Sequence, residues 1–351
     1  MHTRVRFGFP MLLAPRMLTA GLLVLAALAA CTGDGPPRAG AASSEASSSE
    51  AASVAASGTV LIADKNADRL YFVDRATRRV EDSLAVGRGP HEVAVHPTEP
   101  VAYVANYEGE GSISIVDLQT RTERERVMLE PGSRPHGIAV DAAGRAVYVT
   151  AEGLQAVLAL DPATGAVQRT MPTGEDVTHM LALGDAHIYT ANIGSGTATA
   201  LSRDTGEVAA QIATGAGAEG IAVLPGGEAV WVSNRAEDRV SVIDPETLAV
   251  VDSFAVAGFP LRIYTTPDGE TALLSCAQAN EVAVVDIASR EVVARIPTGE
   301  TPVGIQVTPD ATEAFVGNMN GGSVTVIDLR TYTVSDTIAL GRGPDGMAVV
   351  E

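Results

Sequence analysis

At 351 residues the chain has room for two ordinary domains or one large all-β domain. Hydrophobic residues make up 46% and aromatics only 4%, with 35 Gly and 19 Pro, which suits many short strands and tight turns and argues against long helices. Acidic residues outnumber basic ones 43 to 24. A chain with so few cations is poorly equipped to neutralise a run of phosphates, so nucleic acid is set aside as a partner.

Residues 1–30 read as a secretory signal. Arg4, Arg6 and Arg16 precede the apolar run MLTAGLLVLAALAA (17–30), which is too short to span a bilayer comfortably. The run ends in LAAC, Leu28 to Cys31, which resembles a bacterial lipobox. The resemblance implies cleavage before Cys31 and acylation of its thiol. Two or three acyl chains would hold the protein on a membrane, at about 0.8 kcal/mol per buried CH₂. Thr32 stands where an aspartate would signal inner-membrane retention, so an outer-membrane location facing the periplasm or the cell surface is expected. The plainer reading is an ordinary secretory signal with an incidental cysteine. Without residues 1–30 the chain keeps 21 basic and 43 acidic residues, a net charge of −22.

Residues 32–57, TGDGPPRAGAASSEASSSEAASVAAS, offer almost nothing to bury and are expected to be a disordered tether. As a flexible coil it reaches roughly 25 to 30 Å. The second cysteine, Cys276 in ALLSCAQA, leaves no internal disulfide possible in the mature monomer and is expected to be a small core residue. No C-x-x-C-H is present, which excludes a conventional c-type haem.

From Gly58 onward the sequence is periodic. An alternating apolar run followed by D-x-x-T recurs at Asp74, Asp117, Asp161, Asp244 and Asp328, as D-x-x-S at Asp286, and with Ser202 in the aspartate's place in the fourth copy. The anchors lie 43, 44, 41, 42, 42 and 42 residues apart. Such aspartates are turn formers whose carboxylates accept from backbone N–H groups two or three residues on, so they are not read as catalytic acids. Four short strands per period, seven times over, predict a β-propeller of seven four-stranded blades spanning residues 58–351. The segments AYVANYEGEGSISIVD, VWVSNRAEDRVSVIDPET and PDGETALLSCAQANEVAVVD resemble the YVTN-type repeats of YncE-like and surface-layer proteins, a resemblance that implies the same fold. The chain enters at GTVLIAD, a second-strand sequence, and leaves at PDGMAVVE, a first-strand sequence. The C-terminal strand is therefore expected to complete the N-terminal blade and close the ring.

Two short motifs are set aside as sites. DKNAD (64–68) spaces oxygens like the start of a calcium loop, but Arg69 occupies the required glycine position, so a charged turn is expected. GSG (194–196) is loop glycine and no nucleophile elbow. Trp231, Tyr103, Tyr148, Tyr189 and Phe315 share the core aromatic place of the repeat.

The segment typified by PHGIAV is expected innermost in each blade, with its second residue near the mouth of the central channel. The copies read PHEVAV, PHGIAV, THMLAL, AEGIAV, PLRIYT, PVGIQV and PDGMAV. With the C-terminal strand closing the ring, the order around the mouth becomes Asp345, His91, His136, His179, Glu219, Leu261, Val303. Three histidines on consecutive blades are thus flanked by carboxylates and face an apolar pair. Three neutral imidazoles with a carboxylate or water suit Zn²⁺, Cu²⁺ or Fe²⁺ at about 2.0 to 2.2 Å. On that reading His91, His136 and His179 are metal ligands, Asp345 and Glu219 orient His91 and His179, and Glu219 or Asp345 serves as general base. Without metal, the same arc is a pH-sensitive recognition surface for a small polar or cationic ligand, with Arg262 available to an anion on the far side. The structural alternative has the histidines capping strand entrances and bonding to backbone or channel water.

Propellers host many unrelated activities, so fold does not choose among these. No activated nucleophile is recognisable in the sequence. The expectation is a lipid-anchored cell-envelope protein that binds or scaffolds a small ligand or protein partner at the rim or channel mouth. The alternative is a metal-dependent enzyme or metal-binding accessory protein built on the three histidines.

Overall fold

A computed structural model describes residues 57–351; the signal segment, Cys31 and residues 32–56 of the tether lie outside the described residues. The repeat folds as seven four-stranded antiparallel sheets arranged as the blades of a propeller. Blade 2 is typical, with strands Pro90–Val95, Val101–Asn106, Ser112–Asp117 and Thr122–Met128 from the channel outward. Blades 3 to 7 follow in chain order, their innermost strands being Pro135–Val140, Thr178–Leu183, Ala218–Val223, Pro260–Thr265 and Pro302–Val307. Blade 1 joins Thr59–Asp64, Arg69–Asp74 and Val80–Ala85 to the C-terminal strand Pro344–Val350. Val60 pairs with Val349 and Ile62 with Met347, which closes the ring in the order inferred from the sequence.

Burial explains the composition of each strand. The second strands, such as VAYVAN, are covered on both faces by neighbouring blades and read as continuous apolar runs, whereas outermost strands such as TERERVM face solvent and are charged. Trp231, Tyr103, Tyr148, Tyr189, Phe315 and also Phe72 fill the space between blades. Full burial of such a side chain contributes about 1.5 to 3 kcal/mol.

The turn aspartates behave as their spacing predicts. Asp117 Oδ1 accepts from Gln119 and Thr120 N–H at 2.9 Å, Asp244 Oδ1 from Glu246 and Thr247 N–H at 2.8 and 2.9 Å, and Ser202 Oγ substitutes by accepting from Thr205 N–H at 3.2 Å. In DKNAD, Asp64 accepts from the N–H groups of Asn66, Ala67 and Arg342, so its carboxylate is occupied by backbone.

A second repeating device ends the second strand. The amides of Asn106, Asn192, Asn234 and Asn318 donate to hydroxyls of the third strand, namely Ser114, Thr199, Ser241 and Thr325, at 2.8 to 2.9 Å. Blade 6 replaces the pair with Cys276 and Ala283, both fully buried, which keeps the site apolar instead of leaving one polar partner alone.

Candidate functional site

The innermost strands all begin at one end of the channel, where their second residues converge. His91, His136 and His179 form a stack there, with ring centroids 4.3 Å apart for the first pair and 3.7 Å for the second. Tyr107, from the loop between the second and third strands of blade 2, meets His91 edge-on at 4.9 Å. All three imidazoles are buried.

Carboxylates bracket the stack. His91 Nδ1 lies 2.7 Å from Asp345 Oδ2, and His179 Nδ1 lies 2.6 Å from Glu152 Oε1, so each imidazole N–H donates to a carboxylate. His179 Nε2 is 3.6 Å from Glu219 Oε1. Tyr107 donates its hydroxyl to Glu152 Oε2 at 2.7 Å. Between the two pairs, His136 keeps a buried Nδ1 with no hydrogen-bond partner, and Asp345 Oδ1 is likewise unpartnered.

These surroundings push the three imidazoles apart in basicity. Burial lowers His91 despite its bond to Asp345. Burial and the two flanking imidazoles hold His136 well below the usual histidine value. Burial also opposes charge on His179, but Glu152 and Glu219 outweigh it and the net shift is upward. The middle ring is therefore neutral at pH 7, beside a neighbour that favours its proton.

The third residues of the innermost strands fill the channel beneath the stack. Around the ring they are Gly346, Glu92, Gly137, Met180, Gly220, Arg262 and Gly304. A Cβ at Gly220 would sit 2.1 Å from Leu261 O, and one at Gly304 would sit 2.1 Å from Asp345 O, so glycine there permits adjacent strands to approach closely. Large side chains from the remaining positions cross the space. Arg262 donates to Glu92 Oε1 at 3.1 Å through Nη2 and to Glu219 Oε1 at 3.1 Å through Nη1. Arg235 adds a second guanidinium to Glu219. Burial pushes the Glu92 carboxyl up to about 7 against the pull of Arg262. Burial would raise Glu219 as well, but His179 and the two guanidiniums hold it down at about 2.

Opposite the histidines, Leu261, Val303 and Ala277 form a buried apolar cluster with Phe259 and Met319 packed on it. Past Arg262 a cavity of about 280 Å³ extends along the channel, lined by Ile138, Met180, Ile221 and Tyr264 with Glu92 and Arg262.

The family model described as YNCE-like beta-propeller matches residues 132–313, just over half of the chain. The chain belongs to the YNCE-like β-propeller family. No curated protein sequence matches it. Among solved structures, the YNCE-like ring is similar to hydrazine synthase of Kuenenia stuttgartiensis, with a TM-score of 0.69 at 21% identity, covering 77% of this chain and 92% of that one. A functionally unknown protein from Desulfotomaculum acetoxidans gives a TM-score of 0.73 at 14% identity over 84% of this chain and 99% of its own. Dihydro-heme d1 dehydrogenase NirN, solved in complex with DHE, gives 0.62 at 13% identity, covering 83% and 75%. At these identities the likeness is one of fold.

The YNCE-like site departs from the sequence expectations in three ways. Arg262 is not available to an anion on the far side, because it is buried and ion-paired across the channel with Glu92 and Glu219. Glu219 and Asp345 make poor general bases, since their ion pairs and hydrogen bonds hold both below the ordinary carboxylate range. Among the described residues the ligand atoms close enough to share an ion belong to His136, Glu152 and His179, all within 4.8 Å of one another, so Glu152 takes the place expected for His91, while Asp345 bonds to His91 Nδ1 as expected of an orienting carboxylate.

Glu92, Glu152 and Tyr107 were not singled out by the sequence. Glu92 lies one residue past the register that was aligned. Glu152 and Tyr107 share another register, the residue after the second strand, which reads Lys65, Tyr107, Glu152, Ile193, Arg235, Ala277 and Met319 around the ring. Aligning that position across the seven repeats would have found them.

Proposed function

We propose that this YNCE-like propeller is a cell-envelope binding protein, held to a membrane through lipid on Cys31, that takes its ligand at the histidine-lined end of the channel. The observation that carries this reading is His136 Nδ1, buried without a partner in the middle of a stack whose other members are bonded to carboxylates. A buried polar atom left unpaired costs about 1 to 3 kcal/mol, a cost that a bound ligand or ion removes. The apolar cluster opposite gives that end two chemically distinct walls, as ligand sites commonly have.

A second reading is a proton-moving enzyme, favoured by the His91–Asp345 and His179–Glu152 pairs, which resemble the base-orienting half of a catalytic triad. The non-catalytic reading stands first for want of a nucleophile. Among the described residues no serine, threonine or cysteine side chain hydrogen-bonds to any of the three imidazole rings, and burial pushes the Cys276 thiol up to about 11.

The test uses the full chain, expressed in a bacterium and purified in detergent with isotope-labelled histidine. Small carboxylates, amines, sugars and metal ions are added in turn while the imidazole resonances are followed. At least one class should move His91, His136 and His179 together while leaving His96 and His187 in place; a screen that moves none of them defeats the binding reading. Labelled palmitate should enter the wild type and not Cys31→Ala, and equal labelling of both would remove the anchor.

A further inference from the structure

The histidine end of the channel is short of positive charge. Glu92, Glu152, Glu219 and Asp345 are each more than nine-tenths buried, and among the described residues at this end Arg262 is the one equally buried guanidinium. Its bonds go to Glu92 and Glu219, with Nη1 also 3.4 Å from His179 Nε2. Arg235 also serves Glu219. Glu152 is left with the imidazole of His179, the Tyr107 hydroxyl and the more exposed Arg134 at 3.9 Å. Lys65 stands 5.8 Å from the Tyr107 ring, on the rim. Buried carboxylates in excess of buried cations are costly unless protons or a metal ion balance them.

The place where charge is missing is also where donors converge. One ligand atom each from His136, Glu152 and His179 lie within 4.8 Å of one another. His136 brings a buried nitrogen that nothing in the protein engages. Two imidazoles and a carboxylate form a nitrogen–oxygen donor set of borderline hardness with no thiolate, which suits divalent first-row transition ions over soft monovalent copper or hard calcium.

We infer that His136, Glu152 and His179 form a binding site for a divalent first-row transition ion. This rests on the reading that the histidine end binds a ligand, and it names the ligand class. Two ligands stand on the innermost strands of blades 3 and 4, and Glu152 opens the short 3-10 turn Glu152–Leu154 of blade 3, so strands and a tight turn fix all three. Supports lie behind them. Tyr107 holds the second oxygen of Glu152, and Glu219 stands 3.6 Å from the far nitrogen of His179, beside Arg262 at 3.4 Å, within reach of the orienting contact that a carboxylate makes to a metal-bound imidazole. An ion entering here takes the lone pair of His179 Nδ1, so the proton that nitrogen shares with Glu152 shifts to Nε2, on the side of Glu219.

The full chain in detergent, stripped with a chelator, is titrated with Zn²⁺ by calorimetry and loaded with Cu²⁺ for electron paramagnetic resonance. One equivalent of Zn²⁺ should bind, and the Cu²⁺ spectrum should show coupling to imidazole nitrogen. Glu152→Gln, His136→Gln and His179→Asn should each abolish or severely weaken uptake. Tyr107→Phe, which touches only the support, should weaken it about tenfold. His187→Ala should bind like the wild type, and circular dichroism checks that each variant is folded. If a ligand variant fails to fold, the nitrogen coupling of the wild type and the Tyr107→Phe affinity still decide. No Zn²⁺ uptake, or uptake unchanged in the folded ligand variants, overturns the inference. Either result leaves the broader binding reading to be decided by the histidine resonances, which fails only if no ligand moves them.

Discussion

Arg262 is a single side chain on which two carboxylates from opposite parts of the ring depend. Glu92 belongs to blade 2 and Glu219 to blade 5, and the guanidinium from blade 6 bonds to both deep in the channel. Removing one partner of a buried ion pair typically costs about 3 to 5 kcal/mol, because the charge left behind is neither solvated nor paired. Arg262→Met should therefore lower the unfolding free energy by roughly that amount. Adding Glu92→Gln should restore part of it, since Glu219 keeps Arg235. Urea unfolding of the three proteins tests this, and a single variant within about 0.5 kcal/mol of wild type would show that Arg262 does not hold the network. The sequence shows why this role was hard to see. Aligning the repeats places Arg262 in its register, one residue past Leu261, but only the folded ring shows that its side chain crosses the channel toward Glu92, 170 residues earlier in the chain. The alternation of glycine with Glu92, Met180 and Arg262 was present in the sequence, and its meaning, space for side chains that meet across the axis, depends on closure of the ring.

The hairpin between the third and outermost strands was legible at once, because a local hydrogen-bond pattern needs only local sequence. Its aspartates also carry a pH dependence. Hydrogen bonds from the threonine or serine three residues on hold Asp74, Asp117, Asp161, Asp244 and Asp286 below the ordinary carboxylate value, reaching about 2 at Asp117, where Arg124 adds to the effect. Asp328 is lowered chiefly by Arg330. A carboxyl whose folded value lies below its unfolded one adds stability that is complete above the unfolded value, here 3.8, and is lost as pH falls through the folded value. The thermal midpoint should thus decline as pH drops below about 4. Blade 4 supplies the comparison, because Ser202 forms the same turn without a titrating group. Asp161→Ser, patterned on it, should show a smaller drop in midpoint between about pH 5 and about pH 3 than the wild type. Equal drops would assign the acid sensitivity elsewhere. The Asn–hydroxyl pairs were less visible, since Asn106 and Ser114 sit on different strands and only register brings them together.

Closure of the ring joins the two ends of the described chain at a single seam. The C-terminal strand pairs with Thr59–Asp64, and a core of Val60, Ile62, Val73, Phe315, Val324, Val326, Ile338 and Met347 spans blades 1 and 7. On the same seam Arg75, almost fully buried, donates to Asp310 Oδ2 at 2.8 Å and to Glu313 Oε2 at 3.0 Å, with Arg78 also on Glu313. The same strand carries Asp345, the partner of His91, so the seam and the histidine end of the channel share a structural element. Deleting residues 344–351 would expose the paired edge of Thr59–Asp64, uncover Met347's neighbours and leave His91 without its carboxylate. An unpaired, largely apolar strand edge also invites pairing with another chain. The truncated protein should be insoluble or melt at least about 10 °C lower, given that each kcal/mol shifts the midpoint of a protein this size by roughly 2 to 4 °C. Arg75→Ala, which weakens the seam while keeping the strand, should fall between the two. A soluble truncated form with an unchanged midpoint would mean that the blades hold together without this closure, and that the position of Asp345 beside His91 is incidental to the stability of the ring.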